Sequence, residues 1–124
     1  MTLDELKKKW NGLTLNIYNR NESLAACYEK DVMLTFEELV GEIGGKLLSF
    51  NFNDDFVNGY IEKDGKIVYF NYLVLEDMKV NLAAKNWNDG ILLRSVKDLN
   101  DETGGPANYA SFYNLKSKLN ELTR

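Results

Sequence analysis

The spacing of apolar and polar positions predicts a chain of short, alternating elements. Leu3, Leu6 and Trp10 recur at helical spacing opposite Lys7, Lys8 and Lys9, so an amphipathic helix comes first. Thr2 and Glu5 have the T-x-x-E spacing of a capping box, in which each side chain satisfies an amide at the helix start. Asn11-Gly12 supplies the stop. Residues 13–18 then alternate, with Leu13, Leu15 and Ile17 on one side, which predicts a half-buried strand followed by a turn at 19–22. In 23–34 the alternation of Leu24, Ala26 and Tyr28 reads as a second strand, although the Ala25-Ala26 pair also suits a helix. Thr35 and Glu38 have capping-box spacing again. Phe36, Leu39, Val40 and Ile43 carry a middle helix that Gly44-Gly45 ends.

From 47 onward the pattern is that of a meander. Leu48, Phe50 and Phe52 alternate, 53–55 turn, and 56–62 return. Asp64-Gly65 lies between two apolar runs and is a strong hairpin signal, since both positions of a tight hairpin turn take positive φ. Residues 66–75 are apolar on both sides, which predicts a central strand covered on both faces. Met78, Val80 and Leu82 predict a further strand, 88–90 a turn, and 91–96 the last strand. Phe112, Leu115, Leu119 and Leu122 form the stripe of a C-terminal helix, with Asn108 or Ser111 as its N-cap. Together these elements predict a single α+β domain over 1–124. It has an antiparallel sheet of about five or six strands and an N-terminal, a middle and a C-terminal helix packed on one face.

Composition removes several functional classes. Charged residues at 27% and hydrophobic ones at 44% are globular proportions, which exclude a disordered or fibrous chain. No apolar run approaches the ~20 residues that cross a bilayer, and the first residues lack the apolar core of a signal peptide. A single cysteine, Cys27, excludes an internal disulfide, so the expected location is the cytoplasm. Its apolar neighbours place it as an inert core residue. The chain has no histidine, which removes His-based triads and histidine proton shuttles.

Charge sharpens the picture. The net charge is −4, and it is unevenly spread. Residues 28–64 hold nine acids (Glu29, Asp31, Glu37, Glu38, Glu42, Asp54, Asp55, Glu62, Asp64) against three lysines (Lys30, Lys46, Lys63), whereas each flank carries a net +1. An acidic chain is a poor nucleic-acid binder, because Lys and Arg contacts to phosphate supply most of that affinity. An acidic middle third instead suits a basic partner surface.

Candidate chemistry is sparse. Asp77-Met78-Lys79 and Asp64-Gly65-Lys66 have the D-x-K spacing found in metal-dependent nucleases, with Asp54 and Asp55 upstream; three-residue patterns of this kind also arise by chance. The loop from Asp101 to Asn108 holds Gly104, Gly105 and the only proline, Pro106, and it reads as a connector or, alternatively, as an anion cradle at a helix start. Aromatic residues are abundant. Tyr60, Tyr69, Phe70 and Tyr72 on strands could serve as core, as interface or as a base-stacking platform.

The reading that survives is a non-catalytic acidic binding protein that needs no cofactor and docks on another protein with a basic surface. Its expected binding residues are Glu37, Glu38, Glu42, Asp54, Asp55, Tyr60 and Glu62. An inhibitor of a nucleic-acid-handling enzyme, of the anti-CRISPR or anti-restriction type carried by phages or mobile elements, is one instance of that kind. Two other classes stand beside it: a divalent-metal nuclease using Asp77 and Lys79, and a nucleic-acid-binding accessory protein using Lys7–Lys9, Arg94, Lys97, Lys116 and Lys118.

Overall fold

A computed structural model of the chain describes residues 1–15, 23–53, 55–75, 78–80, 90–101, 104–111 and 113–124. It opens with helix α1 (Leu3–Trp10), whose capping box is formed as the sequence implies. The Thr2 hydroxyl accepts from the Glu5 N–H, and the Glu5 carboxylate accepts from the Thr2 N–H, each at 3.2 Å. Leu6 and Trp10 are buried, and the Trp10 indole N–H donates to the Asp31 carboxylate at 2.8 Å. Lys9 pairs with the same carboxylate at 2.9 Å. Asp31 thus ties the first helix to the second.

Helix α2 (Ser23–Gly41) corrects the expected strand over 23–34. Ala25, Tyr28, Val32, Phe36 and Val40 are all buried, a spacing of three or four residues that only a helix turns to one side. The alternation of Leu24, Ala26 and Tyr28 was too short to outweigh this run, which contains no Gly or Pro until Gly41. Thr35 is therefore not an N-cap but lies mid-helix, where its hydroxyl donates to the Asp31 carbonyl at 2.7 Å. Glu38, freed from a capping role, binds the amino group of Met1.

The sheet is a five-stranded antiparallel meander in the order β1 (Lys46–Asn53), β2 (Phe56–Lys63), β3 (Lys66–Leu73), β4 (Ile91–Val96) and β5 (Asn108–Ala110). β1 carries a bulge between Leu47 and Ser49. Asp64 and Gly65 take φ of 53° and 79°, so the predicted tight hairpin joins β2 to β3 and sets Lys63 opposite Lys66. Two expectations are corrected. β3 is central in the sheet yet not covered on both faces: Val68, Phe70 and Tyr72 are buried, whereas Ile67, Tyr69, Asn71 and Leu73 between them are only half-buried. The strand at 91–96 is not the last, because the three residues of β5 pair with its outer edge. Such a short segment carries no period by which to recognise it.

Residues 12–15 and 78–80 run together as a single antiparallel bridge, Thr14 to Lys79. Leu15 is buried, but Leu13 stays 40% exposed. The remainder of the two strands expected there, the turns at 19–22 and 88–89, and Phe112 lie outside the described residues. Helix α3 (Leu115–Leu122) has Leu115 and Leu119 fully buried and Leu122 half-buried. Its N-cap is Asn114 rather than Asn108 or Ser111. The Asn114 carboxamide oxygen accepts from the Ser111 N–H at 2.7 Å, and the Ser111 hydroxyl accepts from the Asn114 N–H at 3.0 Å. Asn108 instead lies in β5.

The architecture is an α+β layer pair: helices cover one face of the sheet, and the core lies between. Among the described residues no helix is long and apolar enough to cross a membrane.

Two stability predictions follow from this packing. Truncating Leu119 to Ala is expected to cost about 2–5 kcal/mol, through lost burial and the cavity left behind, read as a lower urea midpoint. Burial of Asp31 raises its pKa, but hydrogen bonds from Lys9 and Trp10 outweigh this and leave it lowered overall. A lowered folded-state pKa means that the unfolded chain binds the proton first. The contribution is therefore fully present above the unfolded value of about 3.9 and is lost as pH falls through the lower folded value. Melting temperatures of Asp31→Asn should fall less than wild type over that acidic range.

Candidate functional site

The Asp64-Gly65 turn determines which side chains meet on the face that the helices leave open. With Lys63 opposite Lys66, Tyr60 stands opposite Tyr69, and the register across the sheet continues from Tyr69 to Arg94. Side chains alternate along a strand. Because Val57, Gly59 and Ile61 point into the core, Tyr60 and Glu62 point away from it. Tyr69 and Arg94 follow by the same alternation with Val68, Phe70 and Leu93. The Tyr60 and Tyr69 rings contact each other with centroids 5.5 Å apart and planes tilted by 56°. They line a cavity of about 370 Å³ together with Arg94, Val96 and Asp101.

The loop after β4 forms the wall of this cavity and is latched from within. The Asp101 carboxylate accepts from the Lys97 N–H at 3.0 Å and from the Gly104 N–H at 2.9 Å, and the Gly105 N–H donates to the Ser95 carbonyl at 2.7 Å. Gly104 takes φ of 59°, and a Cβ there would stand 2.5 Å from Cδ of Arg94. The loop backbone therefore lies directly on the Arg94 side chain, as only glycine permits. This argues against the anion-cradle reading. The amides of Gly104 and Gly105 already have acceptors, and the loop leads into β5 rather than straight into a helix. The Tyr60 hydroxyl donates to the Leu99 carbonyl across a long 3.5 Å, which attaches the same loop to the tyrosine pair.

The expected binding residues fall in separate places. Glu37, Glu38 and Glu42 are exposed at the C-terminal end of α2 and just beyond it, and Glu42 pairs with Lys116 at 2.6 Å. Asp55 is at the other end of the helix layer. The neighbouring Phe52 meets the Tyr28 ring, with centroids 6.3 Å apart, and Tyr28 and Glu38 are about 15 Å apart along the helix axis. The Asp55 carbonyl accepts from the Val74 and Leu75 N–H groups at 2.8 and 3.3 Å, closing the end of the sheet. Tyr60 and Glu62 lie on the opposite face from α2. Asp54 lies outside the described residues. The helix acids and the turn acid therefore do not form one patch, while Tyr60 joins a different constellation altogether.

The other candidates resolve by position. Phe70 and Tyr72 stack against Phe36 in the core, so of the four aromatic residues considered only Tyr60 and Tyr69 face outward. Burial raises the pKa of both the Tyr28 and Tyr72 phenols, and the Tyr28 hydroxyl donates to the Val74 carbonyl at 2.7 Å. Asp64 occupies its turn and pairs with Lys63 at 2.9 Å. It lies across the length of β2 from Asp55, about 24 Å away, so these two carboxylates cannot share an ion. Lys79 sits in the bridge to Thr14, and Asp77 lies outside the described residues. Among the described residues no three Asp, Glu or Cys side chains converge as a metal site. Lys7 bonds the Tyr113 hydroxyl. Cys27 is exposed on α2 and is not the core residue its apolar neighbours implied.

The pairing of Tyr60 with Tyr69 was legible from the hairpin turn alone. The arrival of Arg94, Val96 and Asp101 beside them was not, since it depends on the β3–β4 register and on the loop fold. The chain matches no protein-family model, no curated protein and no solved structure.

Gly104→Ala tests the loop wall. A Cβ would meet Arg94 and would require a left-handed backbone, so a loss of about 1–3 kcal/mol is expected in urea unfolding. Gly105→Ala, whose added Cβ would find its nearest neighbour at 3.6 Å, should cost much less.

Proposed function

We propose that this chain is a non-catalytic binding domain that docks on another protein through the open face of its sheet, with Tyr60, Tyr69 and Arg94 as anchors. The observation that carries this reading is the cavity itself: two touching tyrosines and an arginine on a rigid sheet, framed by a latched loop. Tyrosine and arginine dominate interface energetics because each presents a large amphipathic surface that gains from desolvation yet keeps a polar tip. Strands hold such groups in place before binding, which lowers the ordering cost.

A partner with a basic surface fits the charge of the chain. Glu62 flanks Tyr60 on the same face, and Glu37, exposed on α2, adds to a long-range field that steers approach, whereas Glu38 and Glu42 are partly offset by the Met1 amino group and Lys116. An inhibitor that occupies the basic groove of a nucleic-acid-handling enzyme, of the anti-CRISPR or anti-restriction type, is one protein of this description. The same tyrosines could stack nucleobases, but Asp101 and Glu62 beside them oppose phosphates.

The test places a photo-crosslinking residue at Tyr69, identifies the protein captured in native lysate, and measures its binding to the purified chain. Tyr60→Ala and Tyr69→Ala are each expected to weaken that binding about tenfold or more. Glu37→Lys with Glu38→Lys should mainly slow association and flatten its salt dependence. Unchanged affinity in the double tyrosine variant would overturn the reading. So would tight binding of a single-stranded oligonucleotide that competes with the captured protein.

A further inference from the structure

Among the described residues, the two edges of the sheet are built differently. β5 is three residues long and follows Pro106, so that edge offers little backbone for pairing. β1 is eight residues long, contains no proline and carries one charge, Lys46, at its start. Every second residue of an edge strand turns its N–H and C=O away from the sheet. A single bulge near Leu47 interrupts β1, and 50–53 pair regularly with β2. Several apolar side chains on this side are only partly covered by the described residues. Leu47, Phe50 and Phe52 are packed against the core yet remain half-buried, as does Met33 on α2. Between α2 and β1 runs a groove of about 280 Å³ lined by Ala26, Met33, Phe50 and Phe52, with Glu29 and Lys30 on its rim.

We propose that this edge pairs with a second copy of the chain, β1 against β1 and antiparallel, to form a continuous ten-stranded sheet. The argument for a second copy is self-complementarity, which a two-fold interface requires. With the axis perpendicular to the sheet near Phe50 or Asn51, Lys46 of one copy lies alongside the other copy's β1–β2 turn, where Asp55 sits. The two α2 helices then run antiparallel on the same side of the joined sheet. The grooves merge into one apolar seam, and Glu29 of each copy comes close to Lys30 of the other. Opposite charges of the two copies thus face each other across the axis. The seam covers the half-buried Phe50, Phe52 and Met33, and the paired edges satisfy the outward backbone groups of β1. The cavity at Tyr60 and Tyr69 lies on the other face, so it stays open in the dimer and this proposal stands apart from the docking reading above.

Sedimentation equilibrium of the full chain between about 1 µM and about 1 mM is the first measurement. A mass rising from monomer to dimer is expected, together with amide exchange of 48–52 that slows as concentration rises. Lys30→Glu places like charges across the axis and should weaken dimerisation about tenfold. Adding Glu29→Lys to that variant reverses both charges and should restore it. Matching melting curves for the variants at the lowest concentration show that the fold is retained. A monomer at every concentration would overturn the proposal. So would a dimer whose β1 amides exchange as fast as in the monomer, a Lys30→Glu variant that dimerises like wild type, or a charge swap that restores nothing.

Discussion

Phe36 stacks on Phe70 at 4.5 Å and on Tyr72 at 5.6 Å, and this contact decides which face of the sheet is dry. All three rings are almost wholly buried, and large aromatic surfaces of this size contribute much of a small core's hydrophobic stabilisation. Seating α2 through Phe36 brings Val32 and Val40 onto the same face and sets Tyr28 over the end of the sheet. There its hydroxyl finds the Val74 carbonyl instead of remaining unsatisfied. With α2 in place, α1 follows, because Trp10 and Lys9 both converge on Asp31 from the neighbouring helix. α3 completes the layer through Leu115 and Leu119.

The opposite face inherits its character from that choice. A sheet with one face covered alternates between dry and wet positions, and in β2 and β3 the wetter positions include Phe56, Tyr60, Glu62, Tyr69 and Asn71. The Asn71 carboxamide oxygen is itself shielded from solvent although the residue is only half-buried, so this face is not uniformly exposed. The latch at Asp101 holds the loop wall against Arg94 through backbone amides, which makes the cavity a property of the resting fold.

Alternation explains the faces, whereas strand length and composition explain the edges. β5 ends the sheet cheaply in structural terms, with three residues and a nearby proline. β1 ends it with eight residues and an incomplete apolar cover. The chain therefore has two surfaces of different chemistry. One is polar, aromatic and concave; the other is a backbone edge beside an apolar groove. They lie on different sides of the sheet, and nothing in the packing forces them to compete.

The sequence by itself determined the local structure wherever a few neighbouring residues contain the whole physical cause. The Thr2–Glu5 box starts α1 with its own side chains, Asp64-Gly65 turns the β2–β3 hairpin through backbone preference, and the Leu115–Leu119 stripe marks α3. The Tyr60–Tyr69 pair was readable for the same reason, since a two-residue turn carries its register outward along both strands. Tertiary structure decided everything that needed a distant partner. Residues 23–34 became helix because Tyr28 and Val32 had a core to enter, and Thr35 lost its cap because the helix began twelve residues earlier. β5 exists only because β4 offers it an edge. The acids that form one run in sequence were parted by the helix and sheet layers, so charge composition alone did not reveal a patch. Arg94 and Asp101 reached the tyrosines through pairings and a loop fold that no local pattern encodes, and this is why the candidate site became visible only in three dimensions.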